Sequence, residues 1–151
     1  MFSKTAEYAI RATIYIAKQS EAGKRIGIDE ISEAIDSPRS FTAKILQLLT
    51  KDEIIVSSVR GPNGGFYISE KSKKLTVRTV LQVIGEDEIF TKCILGLDEC
   101  TEIHPCPMHH RYKLIKEDLV KLFSSKTISD LAREVDNSRI FINNRKAKSR
   151  A

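Results

Sequence analysis

No run of apolar residues in this chain approaches the roughly 20 that a membrane-spanning helix needs. Arg11 and Lys18 interrupt the best candidate, near the N-terminus. No export signal is apparent, so a cytoplasmic, reducing compartment is expected, where disulfides rarely persist. Cysteine is scarce as well. There are three, Cys93, Cys100 and Cys106, and an odd number excludes a closed set of disulfides. The glycine-rich stretch at 61–65 lacks the following Lys-Ser/Thr and helix of a phosphate-binding loop. No internal repeat is present, and 151 residues suit one domain with an appended element.

What is present is an ordinary globular composition, 41% hydrophobic and 30% charged. The net charge of +5 is uneven: residues 1–80 carry +4, 81–136 carry −4 and 137–151 carry +5. A basic head points to a polyanion as its partner, and charge alone leaves nucleic acid and anionic lipid both open. The cysteines read C-x6-C-x5-C and run straight into Pro107-Met108-His109-His110. Thiolates this close hold a soft metal or an iron–sulfur cluster, or react with one another. Three of them need one nitrogen or oxygen ligand to complete a shell for an iron–sulfur cluster or for zinc. Cys106 and His109 are also the residue types of a nucleophile and its base. No acid or oxyanion motif accompanies them, so no enzyme is expected.

Apolar spacing predicts a first helix from Ser3 to about Lys18, with Ala6, Ile10, Thr13, Ile14 and Ala17 on one face. Ile28, Ile31 and Ile35 mark a short second helix that stops at Asp36-Ser37-Pro38. There Ser37 is a candidate cap and Pro38 suits a first turn. The third helix is expected to run to about Lys51, with Ile45, Leu48 and Leu49 inward and Arg39, Ser40, Ala43, Lys44 and Gln47 outward. Two short helices joined by a tight turn, the second opening on small and basic residues, describe a helix-turn-helix. Strand-like residues at 54–59 and 66–68 flank Arg60-Gly61-Pro62-Asn63-Gly64-Gly65, a hairpin in the place of a wing. Arg39, Ser40 and Lys44 are therefore candidates for the major groove. Arg60, with Asn63 in the same turn, is a candidate for the minor groove, whose negative potential draws guanidinium groups.

A polar connection at 71–74 leads to a fourth helix, Val77 to about Ile84, packing through Val77, Val80, Leu81 and Ile84. The cysteine loop spans roughly 90–108, where Ile94, Leu95, Leu97 and Ile103 are expected to form a dry shell. A longer helix to about Phe123 spaces Tyr112, Ile115, Leu119 and Leu122 as the seam of a helix pair, packed on the chain's own head or on a second subunit. Thr127-Ile128-Ser129-Asp130 starts a short last helix, and 136–151 is a basic tail expected to be disordered. The fold class is mainly α with a small β-hairpin. A winged helix-turn-helix occupies 1–75, with its first helix also expected at a dimer contact. The loop and a long C-terminal dimerisation helix occupy 76–135.

With these elements in place, the sequence resembles the IscR/NsrR family of bacterial winged-helix transcription regulators to about residue 135. The resemblance rests on Glu7-Tyr8-Ala9-Ile10-Arg11-Ala12 in the first helix and on Val59-Arg60-Gly61-Pro62-Asn63-Gly64-Gly65-Phe66 at the wing. It rests also on three cysteines placed between the fourth helix and the long one. It implies a homodimer paired through the long helix and a partly palindromic double-stranded DNA operator. It also implies an iron–sulfur cluster through which redox state, nitric oxide or iron–sulfur status controls operator affinity. Better-known members space their cysteines C-x5-C-x5-C; here the first gap is one residue longer. An IscR-like site implies His109 as fourth ligand of a 2Fe-2S cluster. An NsrR-like site implies a carboxylate at the place of Glu7, reaching from the partner subunit to a 4Fe-4S cluster. His104 and His110 are further candidates. The alternative at the same cysteines is a zinc or thiol/disulfide switch.

Overall fold

A serine cap starts the first helix, its side chain accepting a hydrogen bond from the Ala6 amide at 3.1 Å. The computed structural model describes residues 2–135 and 142–144. Among them the order is α1 (Lys4–Ser20), α2 (Ile28–Ala34), α3 (Arg39–Leu49), β1 (Ser57–Val59), β2 (Gly65–Tyr67), α4 (Glu70–Lys73), α5 (Val77–Val83), α6 (His109–Ser125) and α7 (Ile128–Glu134). Because α1 touches α2, α3, α5, α7 and β2, its buried face is wider than one stripe. It takes in Ala6, Ala9, Ala12, Thr13, Ile14, Ile16 and Ala17, while Ile10 is half-buried. The alanines let neighbouring helices approach closely.

The helix-turn-helix closes on fully buried Ile31, Ile35, Ile45 and Leu49. Burying each such side chain is worth about 1.5–3 kcal/mol. Asp36 turns the chain at φ 55°. The start of α3 differs from expectation: Pro38 is its N-cap, with no side-chain capping bond, and the Ser37 hydroxyl donates instead to the Pro38 carbonyl at 3.4 Å. Leu46 is buried and Leu48 half-buried. The helix ends at Leu49 because Asp52 and Glu53, in a short 3-10 turn, both adopt positive φ.

The wing is a short antiparallel ribbon pairing Ser57 with Tyr67, Ser58 with Phe66 and Val59 with Gly65. Ile55 and Val56 precede it as buried, non-strand residues. Ile26 bridges Phe66 from the far side: the Ile26 amide donates to the Phe66 carbonyl at 3.0 Å, and the Phe66 amide donates back at 2.8 Å. The connection at 71–74 contains a further short helix, α4, capped by Ser69.

The four residues expected to pack α5, Val77, Val80, Leu81 and Ile84, are all buried. A capping box between Thr127 and Asp130 starts α7, which lies on α1 through Ile128 and Ala132. The Val77 amide donates to the Lys126 carbonyl and the Ile128 amide to the Leu75 carbonyl, tying the end of α6 to the start of α5. Phe123 on α6 packs with Phe2 at 5.3 Å and Phe90 at 5.6 Å between ring centroids. The expected seam divides: Tyr112 is buried and Leu119 half-buried, but Ile115 and Leu122 are 57% and 53% exposed, alongside exposed Leu114. Residues 136–141 and 145–151 lie outside the described residues, and with them most of the tail expected to be disordered. Its residues 142–144 are described.

Candidate DNA interface and cysteine site

Arg39, Ser40 and Lys44 all sit exposed on the first two turns of α3. The Arg39 Nε donates to Asp29 Oδ1 on α2 at 2.6 Å, which fixes the start of the side chain. Arg60 and Asn63 are exposed in the wing turn, and Arg25 stacks over the Tyr67 ring of β2 at 5.7 Å. Arg25 carries no signal in the sequence, because nothing local marks a residue that reaches the wing across a loop.

The cysteine loop joins a short 3-10 turn at Asp87–Phe90 to α6. Cys93 and Cys106 are buried and Cys100 is half-buried. The Leu95 amide donates to the Cys93 sulfur and holds its thiol below the ordinary range. A hydrogen bond with Cys106, the Leu97 amide and the Lys116 charge add to this, against the opposing effect of burial. Cys100 lies apart from that pair, its sulfur 3.5 Å from His109 Nδ1. His109 is the first residue of α6 and only 2% exposed, and its Nε2 is buried with no partner among the described residues.

Two lysines one turn apart on α6 fasten this loop. Lys113 Nζ binds Glu102 Oε1 at 2.6 Å, and Lys116 Nζ donates to the Lys92 carbonyl at 2.9 Å. The Lys113–Glu102 bond holds the Glu102 carboxyl below its usual range and raises the Lys113 ammonium. Sequence reasoning missed both lysines. Their spacing from His109 along α6 could have flagged one helix face, but not what it touches.

The four candidate ligands are thus brought together as two pairs, Cys93 with Cys106 and Cys100 with His109. Among the described residues no three Cys, His, Asp or Glu side chains converge as a metal site. His104 and His110 are exposed. Glu7 pairs with Lys4 at 3.3 Å and lines neither of the two clefts flanking the loop. One cleft, about 460 Å³, runs from Cys93 and Tyr112 to Phe2 and Ser3 at the start of α1. The other, about 600 Å³, opens beside Cys100, His109, Lys113 and Lys116.

The expected dry shell is absent. Ile94, Leu95, Leu97 and Ile103 are exposed, Ile103 by 83%, because the irregular connection around 90–108 has no second layer over it among the described residues. Phe90 and Tyr112 are the buried apolar neighbours instead. No helix among the described residues is long and apolar enough to cross a membrane.

Comparison with known proteins agrees with the geometry of the head. A model of the Rrf2 family, described as iron-dependent transcriptional regulators, matches residues 2–134. A protein of Aquifex aeolicus (strain VF5), named as an HTH-type transcriptional regulator, is 31% identical over 133 residues, 87% of this chain and 90% of its own length. The regulator IscR of Escherichia coli (O1:K1 / APEC) is 28% identical over 124 residues, 82% of this chain and 75% of that protein. The structure of CymR, the global cysteine regulator of B. subtilis, superposes with a TM-score of 0.72 at 18% identity, covering 89% of this chain and 97% of that one. A winged helix-turn-helix head with a family match along nearly its whole length makes this chain a member of the Rrf2 family of DNA-binding transcriptional regulators, and not an enzyme.

Proposed function

We propose that the protein is a homodimeric, cytoplasmic regulator whose operator affinity is set by an iron–sulfur cluster held by Cys93, Cys100, Cys106 and His109. The observation that carries this reading is the His109 ring. It is buried beside Cys100 with Nε2 unpartnered, and leaving such a group unsatisfied costs about 1–3 kcal/mol. A ligand bond would remove that cost. The donor set also fits the group: three thiols with one nitrogen suit a cluster, and amides aimed at the Cys93 sulfur are the kind that tune its potential. When bound, the cluster supplies redox chemistry and an iron site open to nitric oxide or oxygen. Glu7 from a second copy is the rival fourth ligand. The exposed Leu114, Ile115 and Leu122 supply the apolar face for that second copy.

Purification without oxygen, with a visible spectrum and assays of iron and acid-labile sulfide, tests this reading. A brown protein with near-equal iron and sulfide is the expected result, and two irons per chain would favour His109 where four would favour Glu7. A protein that stays colourless after reconstitution would sink the cluster. It would leave the second reading, a thiol switch, which the Cys93–Cys106 hydrogen bond favours; peptide mapping after mild oxidation would then find those two residues cross-linked.

On the DNA side, Arg39, Ser40 and Lys44 face the major groove and Arg60 and Asn63 follow the wing to the minor groove. With Nε held by Asp29, the terminal nitrogens of Arg39 remain to donate in parallel to a guanine edge. Arg39→Ala should weaken the preferred site, found by selection from a random duplex pool, by about 1–3 kcal/mol. It should change affinity for unselected duplex far less. Equal losses on both would reduce Arg39 to a phosphate contact.

A further inference from the structure

Two lysines are buried among the described residues, Lys73 and Lys116. An ammonium taken out of water is among the costliest groups to bury unless an opposite charge meets it. Lys73 has such a partner, its Nζ lying 2.9 Å from Glu70 Oε1. Lys116 is 8% exposed, and among the described residues no carboxylate forms an ion pair with it. Its Nζ donates to the Lys92 carbonyl at 2.9 Å and stands 5.4 Å from the centre of the Tyr112 ring. A carbonyl dipole and the face of a ring compensate a full charge only in part.

The acids on the neighbouring elements are engaged elsewhere or turned to water. Glu102 is held by Lys113, and Glu88 by the Lys92 ammonium at 3.1 Å. Glu117, which lines the same cleft as Lys116, is exposed, as are Asp118 on α6 and Asp98 and Glu99 in the loop. The groups left to supply the missing charge are the thiols. The carbonyl that Lys116 holds belongs to the residue bonded to Cys93, and the cleft it lines contains Cys100 and His109. Its charge is felt at Cys93, where it joins the Leu95 amide, Cys106 and the Leu97 amide in lowering the thiol. A coordinating thiol is deprotonated outright, so three ligated cysteines bring three negative charges to this end of α6.

We propose that Lys116 is the buried counter-charge of the cysteine site, held against the loop so that its ammonium offsets the ligated thiolates and favours the entry of one electron. This deepens the iron–sulfur reading and rests on it. With three thiolates bound, the loaded site is anionic whether His109 or Glu7 is the fourth ligand. One added electron makes it a unit more negative, with no covalent bond made or broken. A cation fixed beside it, away from water, stabilises the reduced form more than the oxidised one. Net charge around the sulfurs is one of the levers by which a protein sets such a potential. Lys116 binds no iron in this arrangement; its part is to set the charge around the ligands.

The test loads the full chain with its cluster and compares Lys116→Gln, Lys116→Arg and Lys121→Gln, Lys121 being an exposed lysine of the same cleft. Reduction potentials are read by dithionite titration with mediator dyes. Lys116→Gln should lower the potential by about 59 mV, a tenfold loss in a one-electron reduction equilibrium. Lys116→Arg keeps the charge and should stay near the parent value. Lys121→Gln should shift far less, because water and salt screen an exposed charge. An unchanged potential in Lys116→Gln, or an equal shift in Lys121→Gln, would overturn the proposal. A lower melting temperature of the cluster-free glutamine variant beside an unchanged potential would make Lys116 a staple of the loop instead. If Lys116→Gln takes up no cluster while Lys116→Arg does, the charge is needed even for loading and the proposal stands; if neither loads, it falls. A parent chain that stays colourless would sink the cluster itself, a result distinct from a brown parent whose potential Lys116→Gln leaves unmoved.

Discussion

Gly64→Ala is expected to cost the protein its wing, and with it about ten- to a hundredfold in DNA affinity, the equivalent of about 1–3 kcal/mol of backbone strain. A Cβ built at Gly64 would stand 2.0 Å from the Val59 carbonyl oxygen and under 3 Å from the Val59 and Arg60 carbonyl carbons. These are backbone atoms of the facing arm of the hairpin, so no rotamer change relieves the clash. Relief requires opening the turn that the Gly64 amide closes on the Gly61 carbonyl at 2.9 Å. The strain is comparable with what a short ribbon gains from its few cross-strand pairs. Arg60 and Asn63 would then lose their fixed placement. The head should survive, because its core of Ile31, Ile35, Ile45 and Leu49 lies beneath the helices. Gly27→Ala, with nothing within 4 Å of the added carbon and φ −79°, is the matching control. Anisotropy titrations beside thermal melts decide the matter: normal binding by Gly64→Ala would remove the wing from the DNA interface.

Cys100→Ala should abolish the iron and sulfide content while leaving the protein folded and its oligomeric state unchanged. Cys100 is the half-buried member of the three, outside the apolar core, and its sulfur meets His109. Its removal takes one ligand from the set but little packing, so with the cluster absent from both proteins their stabilities should differ by no more than about 0.5 kcal/mol. Bleaching together with unfolding would mean that the loop is a structural staple. Full retention of colour would exclude Cys100 as a ligand. His109→Ala and Glu7→Ala, compared on the same assays, separate the two candidates for the fourth position.

The elements that carry their own local chemistry were legible in the sequence. The Thr127 box, the α5 packing residues and the glycine turn of the wing announce themselves within a few positions. Ser37 misleads because a hydroxyl before proline looks like a cap, whereas Pro38 itself takes the cap place and leaves Ser37 bonded to a carbonyl. Helix α4 gives no signal because Glu70-Lys71-Ser72-Lys73 has no apolar stripe. It is held by the Ser69 cap and by the Ser72 hydroxyl donating to the Ile54 carbonyl at 2.7 Å, a contact between segments. The apolar run at 54–56 has strand composition, yet Ile55 and Val56 are buried after a turn whose positive φ values at Asp52 and Glu53 no composition reveals.

At the cysteines, spacing identified the loop but not its internal pairing. The division into Cys93 with Cys106 and Cys100 with His109, and the fastening by Lys113 and Lys116, depend on how an irregular connection folds back on α6. The exposed Ile94, Leu95, Leu97 and Ile103 show the limit of counting apolar residues: hydrophobic character predicts that a side chain seeks cover, not that its own chain provides it.

The two backbone bonds that join Lys126 and Ile128 to Val77 and Leu75 have a mechanical consequence. They pin one end of α6, while its other end carries His109 and the cysteine loop. Seventeen residues of helix are a rigid arm about 25 Å long. A tilt of about 10° about the pin moves the loop end by about 4 Å, yet barely shifts the hinge. Under the proposed function, a disturbance among the thiols would therefore be geared down along the arm and reach the head as an angle.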